Sequence, residues 1–123
     1  MSVPFAAARL LAGAAVILLH TPQAAAPRSV TVDAERFSFT PSRIHVTVGE
    51  EIDIHLRSAD TAHGFKVEGT DINVEIPKRG KGEIVVRYKA AAAGRFRFEC
   101  SRMCGAGHDF MHGEIVVDDG KER

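Results

Sequence analysis

The feature of this chain that most limits its fold is a strict alternation of apolar and polar residues over short stretches. RIHVTV (43–48) has Ile or Val at every second position, and EIDIHLR (51–57) and RFRFE (95–99) repeat the pattern with Ile, Leu and Phe. Successive side chains of a β-strand point to opposite faces, so each stretch predicts a strand with one buried face. The same alternation places His45 and His55 on the solvent side of their strands.

The rest of the chain also predicts short strands and turns. Further strands are expected at 29–33, 64–67, 71–76, 83–88 and 114–117, with turns that contain Gly or Pro between most of them. No convincing amphipathic helix is present, and about eight strands in about 100 residues are typical of a β-sandwich. We therefore predict an all-β fold in which two sheets enclose one core.

Length and charge fit a single globular domain. With 123 residues, the chain has no room for a second core. Its 16 basic and 16 acidic residues are interleaved and give a formal net charge of zero. Because the sequence contains no basic block, we predict no nucleic-acid partner.

The N-terminus differs in kind from the rest of the chain. Arg9 precedes the apolar run 10–19, and small residues follow at Ala24–Ala26, which is the order found in secretory signal peptides. A membrane span needs about 20 apolar residues, and this shorter run favours a cleaved signal over a retained anchor. We assign 1–26 to a signal peptide or N-terminal anchor and 27–123 to the domain, which then works in the periplasm or another extracytoplasmic space.

A sulfur-rich loop joins two of the predicted strands near the C-terminus. Residues 100–111 read CSRMCGAGHDFM and contain both cysteines of the chain, but not the haem-attachment motif C-x-x-C-H. In an oxidising compartment, two cysteines first suggest a disulfide. A thiolate, a thioether and an imidazole together suit copper instead, whereas a zinc site gains nothing from methionine. The loop alone therefore leaves a disulfide and a copper site open.

An upstream histidine extends this pattern. The loop spacing C-x3-C-x3-H-x2-M, together with His63 and Phe65 upstream, resembles the binuclear copper A domain of cytochrome c oxidase subunit II. The stretch AHGFKVEGTDINVEI (62–76) is similar to the b-type branch of those oxidases. The resemblance covers roughly residues 30 to 118 and implies a Greek-key cupredoxin β-sandwich, in agreement with the strand pattern.

The resemblance also implies a ligand set for two copper ions. The residues are His63, Cys100, Arg102 through its backbone carbonyl, Cys104, His108 and Met111. In the family, the two thiolates bridge both ions, each imidazole binds one ion, and the thioether and carbonyl are weak ligands. Met103 lies off the ligand position and is expected to pack instead, and His112 is expected at the surface or beside the ligands.

The implied function is the transfer of single electrons, with no catalysis by this chain alone. The donor would be a c-type cytochrome or a small copper protein. The acceptor would be subunit I of a haem–copper oxidase or a soluble redox protein. Two alternatives stay open: a periplasmic copper chaperone for oxidase assembly, and a secreted sandwich with a structural disulfide.

Two departures from the family pattern affect these expectations. Many subunit II sequences have Glu at the position of Arg102, where the carboxylate reaches a magnesium ion, so no such magnesium site is expected here. The chain also contains no tryptophan, so it lacks the aromatic cluster through which electrons enter many relatives.

Overall fold

The computed structural model describes residues 1–4, 12–22 and 26–121, and its regular structure is almost entirely strand. The strands are β1 Arg28–Glu35, β2 Ser38–Thr40, β3 Arg43–Thr47, β4 Glu51–Ser58, β5 His63–Val67, β6 Asn73–Ile76, β7 Ile84–Lys89, β8 Gly94–Glu99 and β9 His112–Asp118. A short 3-10 helix spans His108–Phe110. The predicted all-β fold is confirmed.

The strands form two sheets that pack face to face. The first sheet has the order β2-β1-β4-β7, and the second has the order β3-β9-β8-β5-β6. Strands β1 and β4 pair in parallel, as do β3 and β9, and the other pairs are antiparallel. The parallel pairs join strands that are distant in sequence, because a hairpin can connect only antiparallel neighbours.

The core lies between the sheets and follows the alternation read from the sequence. In β4, Ile52, Ile54 and Leu56 are fully buried, whereas Asp53 and His55 between them are half-buried. His45 is exposed and His55 is half-buried, which agrees with the polar faces predicted for β3 and β4.

Three phenylalanines join the two sheets. Phe39 packs edge-on against Phe65 and Phe98, with ring centroids 5.8 and 5.3 Å away. All three rings are almost completely buried. Edge-to-face pairs of this kind add to the free energy gained by burying the rings.

Strand β2 is the element that the sequence pattern did not predict. It spans only Ser38–Thr40 and contributes one buried residue, Phe39, so it is too short to show an alternation. Its pairing partner is β1, with Ala34 opposite Phe39. Strand β9 also begins two residues earlier than predicted, because His112 pairs with Glu99 and extends the ladder.

The predicted N-terminal leader cannot be compared with the fold in full. Its residues 5–11 and 23–25, which include Arg9 and Ala24, lie outside the described residues. Residues 12–22 are described and contain no regular secondary structure. Among the described residues, no helix is long and apolar enough to cross a membrane.

Candidate metal centre

The second sheet brings the predicted ligand residues to one end of the sandwich. Strand β5 begins at His63, β8 ends directly before Cys100, and β9 begins directly after Met111. The backbone N–H of Cys100 donates to the carbonyl of Met111 at 3.0 Å and closes the base of the loop. Both ends of the loop are therefore fixed by adjacent strands, which limits the positions of its side chains.

The imidazole of His63 is fully buried, and one of its nitrogens has no partner in the part of the chain that the structure describes. Nε2 lies 2.7 Å from Oδ1 of Asp60, so the carboxylate accepts a hydrogen bond from this side of the ring. Nδ1 has no hydrogen-bond partner among the described residues. A buried polar atom left unpaired costs about 1–3 kcal/mol, and a lone pair in this position fits a metal ligand.

The two thiols lie beside the imidazole of His63. The Sγ atoms of Cys100 and Cys104 are 3.5 Å apart and are not bonded to each other. The ligand atoms of His63 and both cysteines all lie within 4.8 Å of one another. Two sulfurs and a ring nitrogen at this spacing could contact the same metal ion.

The remaining predicted ligands surround the thiols. The Sγ of Cys104 lies 3.6 Å from Nδ1 of His108 and 3.8 Å from Sδ of Met111. The Sγ of Cys100 lies 3.0 Å from the carbonyl oxygen of Arg102. The structure thus brings all six predicted residues together, and their role as ligands stays a prediction.

Burial disfavours the thiolate form of Cys104. Cys100, Cys104 and Met111 are each at least nine-tenths buried, and His108 is half-buried. Burial, together with the hydrogen bond to the neighbouring thiol of Cys100, raises the pKa of Cys104 from 9.0 to about 11. The metal-free thiol is therefore protonated at neutral pH, and its thiolate needs a nearby positive charge such as a metal ion.

Gly64 allows the ligand loop to approach β5. A Cβ at this position would lie 2.3 Å from Oγ of Ser101 and 2.6 Å from the backbone nitrogen of Arg102. The N–H of Gly64 donates to Sγ of Cys100 at 3.4 Å. Only glycine fits between His63 and the first turn of the loop without displacing the backbone.

Asp60 holds His63 in place, and sequence reasoning missed it. Its carboxylate accepts hydrogen bonds from His63 and from the backbone N–H groups of Arg36 and Thr61, the latter two at 2.9 and 2.7 Å. Burial alone would raise the pKa of Asp60, but these hydrogen bonds outweigh it and lower the pKa from 3.8 to about 2. The only signal in the sequence is an Asp three residues before the histidine, which is too common to single out.

The β1–β2 turn contacts the other half of the ligand set, and sequence reasoning missed this too. Nε of Arg36 donates to the carbonyl of Cys104 at 2.8 Å. The ring of Phe37 covers two glycines of the loop: a Cβ would lie 2.9 Å from the ring at Gly105 and 2.4 Å from it at Gly107. The packing of this ring thus requires glycine at both positions.

Three other residues, two in the loop and one directly after it, show what the sequence pattern could and could not predict. Met103 is 74% exposed, so the expectation that it packs is wrong. Phe110 is 79% exposed, although phenylalanine is usually a core residue. His112 is exposed, as expected for a histidine adjacent to a buried ligand position.

Comparison with known families supports the resemblance seen in the sequence. The sequence profile of the cupredoxin-like domain family matches residues 8–117. Cytochrome c oxidase subunit 2 of Thermus thermophilus is 44% identical over 92 residues, which cover 74% of this chain and 66% of that protein. A second subunit 2 sequence from the same species has the same identity, and the match covers 53% of its length. The chain thus spans about half to two thirds of the length of these relatives.

Solved structures with the same architecture include oxidase domains. A haem–copper terminal oxidase dimer matches with a TM-score of 0.66 and 28% identity, over 74% of this chain and 65% of the matched chain. The periplasmic domain of subunit II of the Bradyrhizobium japonicum oxidase matches with a TM-score of 0.69. Its identity is 19%, over 79% of this chain and 88% of that domain, so this likeness concerns the fold alone.

The family match, the two-sheet architecture and the resemblance to oxidase subunit II agree with one another. The chain belongs to the cupredoxin-like domain family.

Proposed function

We propose that this domain transfers single electrons through a binuclear copper centre. The ligands would be His63, Cys100, Cys104, His108, Met111 and the carbonyl of Arg102. One observation carries the proposal: the imidazole of His63 is buried with no partner for Nδ1 among the described residues, and a ring nitrogen of His63 lies within 4.8 Å of two unbonded thiols. Thiolate, thioether and imidazole form a soft donor set that suits copper.

The arrangement of the chain's own residues favours electron transfer. Copper supplies one-electron redox chemistry when bound. Two buried sulfurs 3.5 Å apart are close enough to be shared between two ions. The ligands are fixed by strands β5, β8 and β9, so they can stay in place when the charge of the site changes.

The proposed setting is the periplasm, at a respiratory oxidase. The 44% identity to subunit 2 of Thermus thermophilus supports a role as subunit II or as a related free carrier. The acceptor would then be subunit I of a haem–copper oxidase or a soluble redox protein. The donor would be a c-type cytochrome or a small copper protein. The leader would direct the domain across the membrane and would be either cleaved or kept as an anchor.

A copper titration with matched histidine variants tests the proposed ligand set. His108 lies 3.6 Å from a thiol, whereas His112 is exposed and outside the cluster. We expect two copper ions per chain in the unmodified protein, loss of one or both in His108→Asn, and no change in His112→Asn. Equal copper binding by both variants would show that His108 is not a ligand.

The same titration separates the proposal from the chaperone alternative. A chaperone that delivers cuprous ion needs one ion per chain and a site that releases it. Binding of one ion, with rapid loss to a competing chelator, would therefore favour the chaperone. Absence of copper binding, with an oxidised cysteine pair, would favour the structural disulfide.

A further inference from the structure

We propose that the turn between β6 and β7 is the docking site for an acidic redox partner. This turn, the cationic turn, comprises residues 77–82 and reads PKRGKG. The inference rests on the electron-transfer role proposed above and specifies the chemistry of the partner: a protein whose contact face carries carboxylates.

The cationic turn carries three exposed positively charged side chains. Lys78, Arg79 and Lys81 are exposed, and none of them forms an ion pair with a described residue. Most other described arginines do form ion pairs: Arg28, Arg43, Arg57, Arg87, Arg95, Arg97 and Arg102. The turn is thus a local excess of positive charge on a chain with no formal net charge.

The position of the cationic turn connects it to the metal centre. Ile76, the last residue of β6, pairs with His63. The backbone N–H of Arg79 donates to the carbonyl of Asp60 at 3.0 Å, and the carboxylate of Asp60 accepts from Nε2 of His63 at 2.7 Å. A partner seated on the turn would therefore be two hydrogen bonds from an imidazole of the ligand cluster.

A second group of arginines on the outer face of the second sheet is a weaker candidate. Arg43 and Arg95 both pair with the carboxylate of Glu114, at 2.8 and 3.3 Å. Arg97 pairs with Glu99 at 3.3 Å. Because carboxylates are interleaved with these arginines, that face offers an anionic partner less net attraction than the cationic turn.

Electrostatic steering explains how the charge would act. Complementary charges raise the rate of productive encounter, and salt weakens the effect because it screens exposed charges. In the proposed reaction, one electron would pass between the partner and the copper-loaded domain: the protein that gives it would be oxidised by one unit, and the protein that receives it would be reduced by one unit. No covalent bond would form or break, so docking geometry and charge would influence the rate.

Paramagnetic mapping on the copper-free protein tests the docking site independently of the metal. The probe is hexacyanochromate(III), a redox-inert trianion that broadens the amide resonances of nearby residues. We expect the strongest broadening at residues 77–82 and at 60–63 beside them. Strongest broadening around Arg43, Arg95 and Arg97, or uniform weak broadening, would overturn the proposal. The mapping does not depend on copper binding. It can therefore refute the docking site while the proposed copper centre stands, and the copper titration can refute the centre independently of the mapping.

Kinetics on the reduced, copper-loaded protein test whether docking supports transfer. One electron passes from the protein to hexacyanoferrate(III), which becomes hexacyanoferrate(II). The double variant K78Q/K81Q should slow this reaction about tenfold at low ionic strength. The matched variant K89Q/K121Q removes the same charge away from the cationic turn and should change the rate less than about twofold.

Two further results complete the test. Added salt should remove the difference between the two double variants. The cationic oxidant tris(phenanthroline)cobalt(III) should not be slowed by K78Q/K81Q. Equal slowing of the hexacyanoferrate(III) reaction in both double variants would show that only overall charge matters, and would contradict docking at the cationic turn.

Discussion

The two sheets of this sandwich contribute to the metal centre in different ways. The second sheet carries every proposed ligand, because His63 begins β5 and the loop from Cys100 to Met111 joins β8 to β9. The first sheet carries none, but the segments that follow its strands hold the ligands: Asp60 after β4 bonds to His63, and Arg36 after β1 bonds to Cys104. The centre therefore lies on one sheet and depends on both, so substitutions in the two sheets should have different effects.

Removal of a ligand on the second sheet should have the largest effect. In Cys104→Ser, a hard hydroxyl replaces a buried thiol that contacts His108 and Met111, so we expect loss of the binuclear site. Copper content after dialysis and the visible absorption of the thiolate–copper bonds measure this loss. The matched variant Met103→Leu alters an exposed sulfur of the same loop and should keep both ions. Two ions retained in Cys104→Ser would contradict the proposed ligand set.

Removal of the carboxylate charge that orients His63 should weaken copper binding without abolishing it. Asp60→Asn keeps the shape of the side chain but loses its charge-assisted hydrogen bond to Nε2. Loss of such a partner of a metal-bound histidine typically costs about 10–100-fold in affinity. Competition with a copper-binding dye measures the change, with Asp33→Asn on the first sheet as a control away from the ligands. An affinity unchanged from that of the control would mean that Asp60 does not position the ligand.

Loss of the Arg36 side chain should have a smaller effect. Arg36→Ala removes the hydrogen bond to the Cys104 carbonyl and should destabilise the copper-free protein by about 1 kcal/mol, measured by urea denaturation. It should also shift the redox potential of the loaded protein, because the loop is then held less firmly. Arg57→Ala removes an exposed arginine of β4 that pairs with Asp33 and should leave the potential unchanged. A potential unchanged in Arg36→Ala as well would limit Arg36 to a role in folding.

Acid sensitivity of the ion pairs on the first sheet should be the smallest effect. Hydrogen bonds from Arg57 and Arg87 hold the pKa values of Asp33 and Asp53 below 3.8. Their stabilisation is therefore fully present above the unfolded pKa and is lost as the pH falls below about 4. R57Q/R87Q should flatten this part of the acid dependence of the urea midpoint, but only slightly, because these pairs are exposed. A urea midpoint that falls more steeply with decreasing pH in the variant would contradict the stabilisation assigned to these ion pairs.

The comparison of the sheets also explains what the sequence could predict. The alternation in 43–48 and 51–57 is local, and so is the spacing of the loop from Cys100 to Met111, so both could be read directly. The hydrogen bond from Arg36 to Cys104 joins residues 68 positions apart. Nothing near Arg36 in the sequence marks it as a partner of the loop, because only the folding of the first sheet brings them together.

Other differences between the predictions from sequence and the structure occur in short elements and at the surface. Strand β2 has three residues, too few to show a period of two. The residue type of Met103 predicts packing, yet the loop turns it to solvent, and its exposure depends on the path of the backbone between the cysteines. Conversely, the resemblance to oxidase subunit II pointed to His63. Only the structure shows that this histidine is buried and that its Nδ1 has no partner among residues 1–4, 12–22 and 26–121.

Electron paramagnetic resonance of the copper-loaded protein tests the central claim most directly. If the two thiolates hold two ions between them, one unpaired electron is shared by both nuclei, and the spectrum shows hyperfine splitting from two equivalent coppers. Splitting from a single copper nucleus, with one ion per chain, would contradict a binuclear centre in this domain.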